Sequence, residues 1–383
     1  MKVAHLCTVA SSLRYLLLPQ LEGSLAVGDE AIGISAPGSD VAFLESRGIR
    51  HVPLPASTRR RSLLSDLRAA WQLVKILRTE RLDVLHTHNP KPSLYGRVLG
   101  RLLGVPIVIN TVHGLYATET DRLLKRVLVY VLEGLASRFS DLELVQSAED
   151  ARTIRRLRLA SPTKVRHLGN GVDLRRFSSE SSQGSRLSKR SELGLEPNAV
   201  VVGCVARLVA EKGIPELIAA YSMRNQDYQL IIVGPADPSK TDALSHEEIL
   251  AAEALDVRFL GHRHDVDELY RAFDVFVLPS HREGFPRAAM EAAASGLPLV
   301  LSDVRGCREV VEPGSNGILV PKQEPIALAA AIDELVADPG LRAGMGAAGR
   351  RKAERDFDEV AIVDKVLSAY REIADLKGLT VSG

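Results

Sequence analysis

Apolar positions along the chain fall into short unbroken runs, separated by longer stretches where they recur every three or four residues. In the first half the runs are Val3–Val9, Ala31–Ser35, Asp83–His86, Pro106–Asn110, Leu142–Gln146 and Val165–Leu168. Runs of this length without alternation predict strands buried on both faces. Leu63–Arg78 and Arg122–Ser137 carry helical spacing between them. Residues 174–198 break the rhythm: SSESSQGSRLSKR is polar and aperiodic, which predicts an exposed linker. The rhythm restarts at AVVVGCVAR and continues through QLIIVG, VRFLG, DVFVLPS and LPLVLSD. Two successive strand–helix series predict an α/β protein of two doubly wound, Rossmann-like domains, at 1–173 and 199–355. Residues 356–383 are expected as a C-terminal helix that crosses back to the first domain.

A length of 383 residues suits two such domains. A net charge of +1 gives no global reason to expect nucleic acid as a partner. Cys7, Cys204 and Cys307 are odd in number and far apart, so neither a disulfide framework nor a metal pair can be read, and a reducing compartment fits. The opening MKVAHLCTVA reads as a first strand and not as a signal peptide. No stretch approaches 18 uninterrupted apolar residues. A cytoplasmic protein is expected.

Open α/β sheets bind ligands beyond the carboxyl ends of their strands, so with two of them the expected site is a cleft between domains. The stretch HREGFPRAAMEAAASGLPLVLSD follows a strand pattern and holds Glu283 and Glu291 eight positions apart. Pro286 suits the first turn of a helix and Gly296 its end. The amides of Gly284 and Phe285 then lie near a helix N-terminus, which favours an anion. Two acids so placed either grip an elongated ligand or merely face water and complement the helix dipole. ARLVAEKG adds Arg207 and Lys212 in another loop after a strand, a pair suited to a phosphate or simply solvated.

These segments together resemble the retaining family-4 glycosyltransferases, which have the two-Rossmann GT-B fold. The likeness extends to HTH at 86–88, TVHG at 111–114, GNGVD at 169–173 and the REVV–NGILV segment at 308–320. It implies that Arg207 and Lys212 clamp the diphosphate of a nucleotide-sugar donor. It implies that Glu283 faces the donor sugar, that the Gly284-Phe285-Pro286 backbone lines sugar and phosphate, and that Glu291 holds the ribose. The donor is expected to be UDP-linked, carrying a hexose or an N-acetylhexosamine. No metal or cofactor is expected: Asp265 and Asp267 form a DVD by letter but look like a helix start. Charge on the leaving diphosphate would be met by Arg207, Lys212 and helix amides.

In the first half, His113 follows the strand PIVINTV, as either a structural loop histidine or a projecting one; the resemblance places its counterpart near the donor sugar. His86 and His88 have metal-like spacing without an acidic partner cluster, so His88, with Asn89 and Lys91, is read as cleft wall or acceptor contact. Many family members carry a Gly-Gly pair in the first loop; here TVASSLR presents Ser11 and Ser12, expected to meet acceptor or phosphate. Asn170 and Asp173 are expected to shape the turn between domains. Residues 57–81 hold seven basic side chains against two acidic ones, with Leu63, Leu67, Trp71 and Val74 as an apolar stripe. Either the stripe packs on the sheet with Arg59, Arg60 and Arg61 solvated, or this edge with Trp71 rests on anionic lipid. In similar enzymes the acceptor is lipid-linked, so a peripheral position on the inner face of the membrane is expected. Rival readings are a nucleotide-sugar epimerase of the same architecture, a two-lobed binding protein, or transfer to a soluble acceptor.

Overall fold

The computed structural model describes residues 1–58, 62–117, 121–178, 183–237 and 240–379. The chain forms two compact units, Met1–Gly169 with Val360–Gly383, and Asn170–Glu359.

Unit 1 is a seven-stranded parallel sheet in the order β3-β2-β1-β4-β5-β6-β7. The strands are β1 Lys2–Val9, β2 Glu30–Ala36, β3 Arg50–Pro53, β4 Val84–His88, β5 Ile107–Val112, β6 Leu142–Val145 and β7 Val165–His167. One face packs Ala4, Leu6, Ile32, Ile34 and Leu85 against Leu73 and Leu77 of the helix Leu63–Glu80. The other packs Val3, Val84, Ile107 and Ile109 against the helix Glu359–Leu376, through Ile362, Val366 and Tyr370. Both faces being covered is why these strands read as continuous apolar runs. β3, half exposed at the sheet edge, is too short and polar to have been expected. β4 runs two residues beyond its expected end, so His86 and His88 are strand residues.

Unit 2 is a six-stranded parallel sheet in the order β10-β9-β8-β11-β12-β13. Its strands are β8 Val201–Val205, β9 Gln229–Val233, β10 Arg258–Phe259, β11 Val275–Leu278, β12 Leu299–Ser302 and β13 Gly317–Val320. The expected linker is not one. It carries the helix Gln183–Glu192, and Phe177, Leu193 and Leu195 enter the unit 2 core. Its arginines mislead because they are structural: Arg190 is buried, donating to the carbonyls of Ala272, Pro197 and Ala199 and to Asp274 Oδ2 at 2.5 Å.

Candidate active site

Three strand ends in unit 2 converge on one carboxylate. Arg207 lies just past β8, and Lys212 ends a single 3₁₀ turn, Ala210–Lys212. Gly213 then adopts φ +71°, in the left-handed region, and starts the helix Ile214–Ser222. A Cβ on Gly213 would stand 2.0 Å from the carbonyl oxygen of Pro279, at the end of β11, so only glycine allows this approach. The contact brings Lys212 Nζ to 2.6 Å from Glu283 Oε1. Ser280 Oγ donates to the same oxygen at 2.8 Å. From the β12 side, the Gly306 amide donates to the Glu283 carbonyl at 3.3 Å. Arg207 turns away from this pair: its Nη1 donates to Asp237 Oδ2, 2.6 Å away in the loop after β9.

Glu291 sits within the helix Arg287–Ala294, and Pro286 stands at the N-cap, one residue ahead of its expected place. The side chain is not a solvated face. Glu291 Oε2 accepts from the Tyr270 hydroxyl at 3.1 Å, and Oε1 lies 3.4 Å from Arg287 Nε. Burial pushes its carboxyl pKa up, with Arg287 and Tyr270 opposing that shift. Arg287 also holds Glu359 at 2.9 Å, so the carboxylate is gripped from a fixed frame. Asp237, Ser280 and Tyr270 were not singled out in the sequence; their only signal was position, in a loop after a strand or one helical turn from an acid.

Unit 1 gathers imidazoles. Parallel register sets His5 beside His86 and His88 beside Thr111 on neighbouring strands. Alternation along each strand turns His5, His86, His88 and Thr111 to one face, with His113 two residues beyond Thr111. His5 Nδ1 is 3.0 Å from His88 Nε2, and His88 Nδ1 is 3.0 Å from His113 Nε2. His113 Nδ1 meets Gln146 Oε1 at 3.2 Å. His86 bonds the Tyr370 hydroxyl at 2.6 Å and Thr111 Oγ1 at 2.7 Å. Burial lowers all four imidazole pKa values, to about 3 for His5 and about 4 for His113. His5, His86 and His88 also place one nitrogen each within 4.8 Å of one another.

Several expected surface contacts lie elsewhere. His88 is buried and bonded to histidines on both nitrogens, so it is neither cleft wall nor acceptor contact. Asn89, at φ +65°, accepts from the Thr8 amide and precedes the helix Pro90–Leu102, on which Lys91 pairs with Asp66 at 2.9 Å. Ser11 and Ser12 are not in a loop: β1 runs straight into helical turns, and Ser12 is buried while Ser11 is half-buried. Asn170 and Asp173 accept from the backbone amides just after them, in unit 2. Asp265 stands at the N-cap position of the helix Val266–Ala272 without a side-chain capping bond, and pairs with Arg263 and Lys189.

Arg59, Arg60 and Arg61 lie outside the described residues. Trp71 is 60% exposed, with Lys75 Nζ 3.5 Å from its ring centroid. Leu63 and Leu67 are exposed too; Ala69, Leu73 and Leu77 form the packed face, so the stripe does not pack on the sheet. The helix Leu123–Ala136 exposes still more: Leu124 is 82% exposed, and Leu128, Val131 and Leu135 continue one face. Its other side is anchored through Glu133, 2.6 Å from the buried Arg97. Beside it lies a groove of about 550 Å³ whose lining includes Val131, Leu157, Arg138 and Lys164. Among the described residues no helix is long and apolar enough to cross a membrane.

Two parallel-sheet units, with cations and paired carboxylates at the strand ends of the second, define a GT-B-type transferase architecture. The comparisons agree. Residues 185–352 match the model for glycosyl transferases group 1, and residues 26–176 that for glycosyltransferase family 4. The chain is 30% identical over 327 residues to the UDP-Gal:alpha-D-GlcNAc-diphosphoundecaprenol alpha-1,3-galactosyltransferase of Escherichia coli, covering 84% of each chain. It is 27% identical to the capsular polysaccharide biosynthesis glycosyltransferase CapM of Staphylococcus aureus, over 96% of both. Among solved structures, sucrose-phosphate synthase from Thermosynechococcus elongatus superposes with a TM-score of 0.83 at 23% identity, covering 98% of this chain and all of that one. Anabaena HepE in complex with UDP superposes with a TM-score of 0.80 at 22% identity, covering 97% and 100%. This chain belongs to the group 1 and family 4 glycosyltransferases. Both relatives named by sequence are transferases, and neither is an epimerase.

Proposed function

We propose that this glycosyltransferase moves a hexose or N-acetylhexosamine, with retention and without a metal, from a UDP-sugar to a hydroxyl of a lipid-linked glycan, in cell-surface polysaccharide synthesis on the cytoplasmic face of the membrane. The observation that carries the reading is the Lys212–Glu283 pair at 2.6 Å, with Arg207 in the same loop as Lys212. A sugar diphosphate needs a cation at the bond that breaks and an acceptor for the sugar hydroxyls, and these residues supply both. Lys212 and Arg207 meet the charge that grows on the leaving diphosphate, which competes with Asp237 for Arg207. Glu283 accepts from the sugar. Glu291, held by Tyr270 and Arg287, offers its remaining lone pairs to the ribose.

The acceptor class is supported by the diphosphoundecaprenol-linked substrate in the E. coli relative's name and by the exposed apolar helix of unit 1. That helix, the neighbouring basic groups and Trp71 suit an anionic bilayer surface. Release of nucleoside diphosphate from UDP-, GDP- and ADP-sugars, with and without bacterial lipid extract, tests the reading. Release from one UDP-sugar that rises strongly with lipid is expected. Release indifferent to lipid refutes the lipid-linked acceptor, and isomerisation without release refutes transfer.

A further inference from the structure

The imidazoles of unit 1 form more than a cluster. Six contacts join Gln146, His113, His88, His5, Tyr370, His86 and Thr111 into one unbranched run. A carboxamide oxygen only accepts, so Gln146 Oε1 requires the proton of His113 on Nδ1. His113 Nε2 is then an acceptor and takes a proton bond from His88 Nδ1–H. His88 Nε2 accepts in turn from His5 Nδ1–H. His5 Nε2 accepts from the Tyr370 hydroxyl, 3.4 Å away, and the phenolic oxygen accepts from His86 Nδ1–H at 2.6 Å. Thr111 closes the run by donating to His86 Nε2. One polarity satisfies every member, with each imidazole neutral, one nitrogen donating and one accepting.

We propose that His88, backed by His5 and Tyr370, is a positioning residue for the transfer reaction: it fixes His113 in one orientation and one tautomer, with Nε2 sealed as an acceptor and Nδ1–H left as the donor at the outer end of the run. The inference rests on the transferase reading and on the family resemblance, which implies that His113 stands near the donor sugar. A second proton on His113 Nε2 would face the His88 Nδ1–H, donor against donor, so the run keeps His113 neutral. Nδ1–H is the proton that a sugar hydroxyl can share, since its bond to Gln146 is long at 3.2 Å. The three inner histidines are buried, so none of them is placed to contact the substrate. The run also explains why Tyr370, far along the chain on the C-terminal helix, projects its hydroxyl among them.

Three nitrogens this close also invite a metal. Yet both His86 nitrogens are engaged, by Tyr370 and Thr111, and the His5 and His88 nitrogens nearest each other share a proton at 3.0 Å. The same atoms are spoken for without an ion.

The test has two arms on the intact protein. In the first, ¹⁵N-labelled histidine spectra, with the His113 signals assigned by their loss in His113→Gln, report the tautomer without donor or acceptor. The Nδ1–H form of His113 from about pH 6 to about pH 8 is expected. The Nε2–H form, an imidazolium, or stoichiometric zinc on the purified protein overturns the proposal. In the second, His88→Leu is compared with His88→Asn, whose amide keeps a donor where Nδ1 stood. His88→Leu should lower kcat by roughly 10- to 100-fold with little change in donor KM, and His88→Asn should recover most of it. Equal loss in both variants, or loss in neither, overturns the proposal. If His88→Leu does not fold, the tautomer and the His88→Asn kinetics still decide. Should the wild type transfer no sugar at all, the transferase reading fails, whereas the spectra still judge the run by themselves.

Discussion

At the level of single residues, the proposed donor site is a set of opposed charges whose partners can be exchanged for a ligand. Lys212 and Glu283 lie 2.6 Å apart, both largely buried, and each has a task that the other cannot assume. Lys212→Ala should lower kcat by about 100-fold or more, as removal of one transition-state donor does elsewhere, while Lys212→Arg keeps part of the activity. Glu283→Ala should lose most transfer with the protein still folded, read by its thermal transition. Near-normal turnover in both alanine variants would remove the site assignment. The histidines make a second prediction. Their pKa values are depressed in the folded chain, so each is neutral there while its unfolded counterpart gains a proton below about pH 6.5. The unfolded state then binds more protons, and stability falls as pH falls. For His5, His86 and His88 the loss between about pH 6.5 and about pH 5.5 is about 1 kcal/mol each, or roughly 3 kcal/mol together. Urea unfolding followed by Trp71, the only tryptophan, should show the midpoint dropping over this window. A flat midpoint would mean the imidazoles already carry protons when folded.

At the level of elements, strands and long helices were legible because burial on two faces leaves unbroken apolar runs and packing on one face leaves a helical period. What could not be read is which face of a helix is covered. The spacing over 63–78 pointed to Leu63, Leu67, Trp71 and Val74, whereas Ala69, Leu73 and Leu77 are the residues that pack. A stripe has no label saying whether it meets sheet or solvent. Likewise His86 and His88 were visible as a pair, but His5 joined them only through parallel register between β1 and β4, which no local pattern encodes. The exposed face of Leu123–Ala136 has a consequence of its own. Leu124, Leu128 and Val131 follow at helical spacing, opposite the Glu133–Arg97 anchor, so changing them need not disturb the core. Each apolar side chain withdrawn from water contributes about 1.5–3 kcal/mol when fully buried, and charge on that face opposes insertion. Leu124→Asp with Leu128→Asp should therefore weaken sedimentation with anionic phospholipid vesicles by at least about 10-fold and leave the thermal transition unchanged. Equal vesicle binding by the double variant would remove this face from the proposed membrane contact.

At the level of the whole molecule, the doubled strand–helix rhythm announced two sheets, and their separation fell where composition was least informative. The polar stretch before β8 belongs to unit 2 because Arg186 and Arg190 both reach Asp274, and Arg190 is sealed by three carbonyls; a charged segment can be core when every donor is met. The C-terminal helix gives the opposite lesson. Its return to the first domain was expected from the sequence, while only the fold shows which face of the first sheet it covers, after the chain has built the second. Ile362, Val366, Leu367 and Ile373 contribute roughly 6–12 kcal/mol of burial against β1, β4, β5 and β6, which is as large as the net stability of a typical domain. Unit 1 therefore cannot be a stable fold made from the first 169 residues alone. Ending the chain at Glu359 should abolish the cooperative urea transition seen by Trp71, which lies in unit 1, and remove Tyr370 from the histidine run. Unit 2 keeps its own core and should retain a helical circular-dichroism signal with its own melting transition. A truncated chain that still shows the Trp71 transition near the full-length midpoint would mean that β1 to β7 and their remaining helices bury enough without the returning helix.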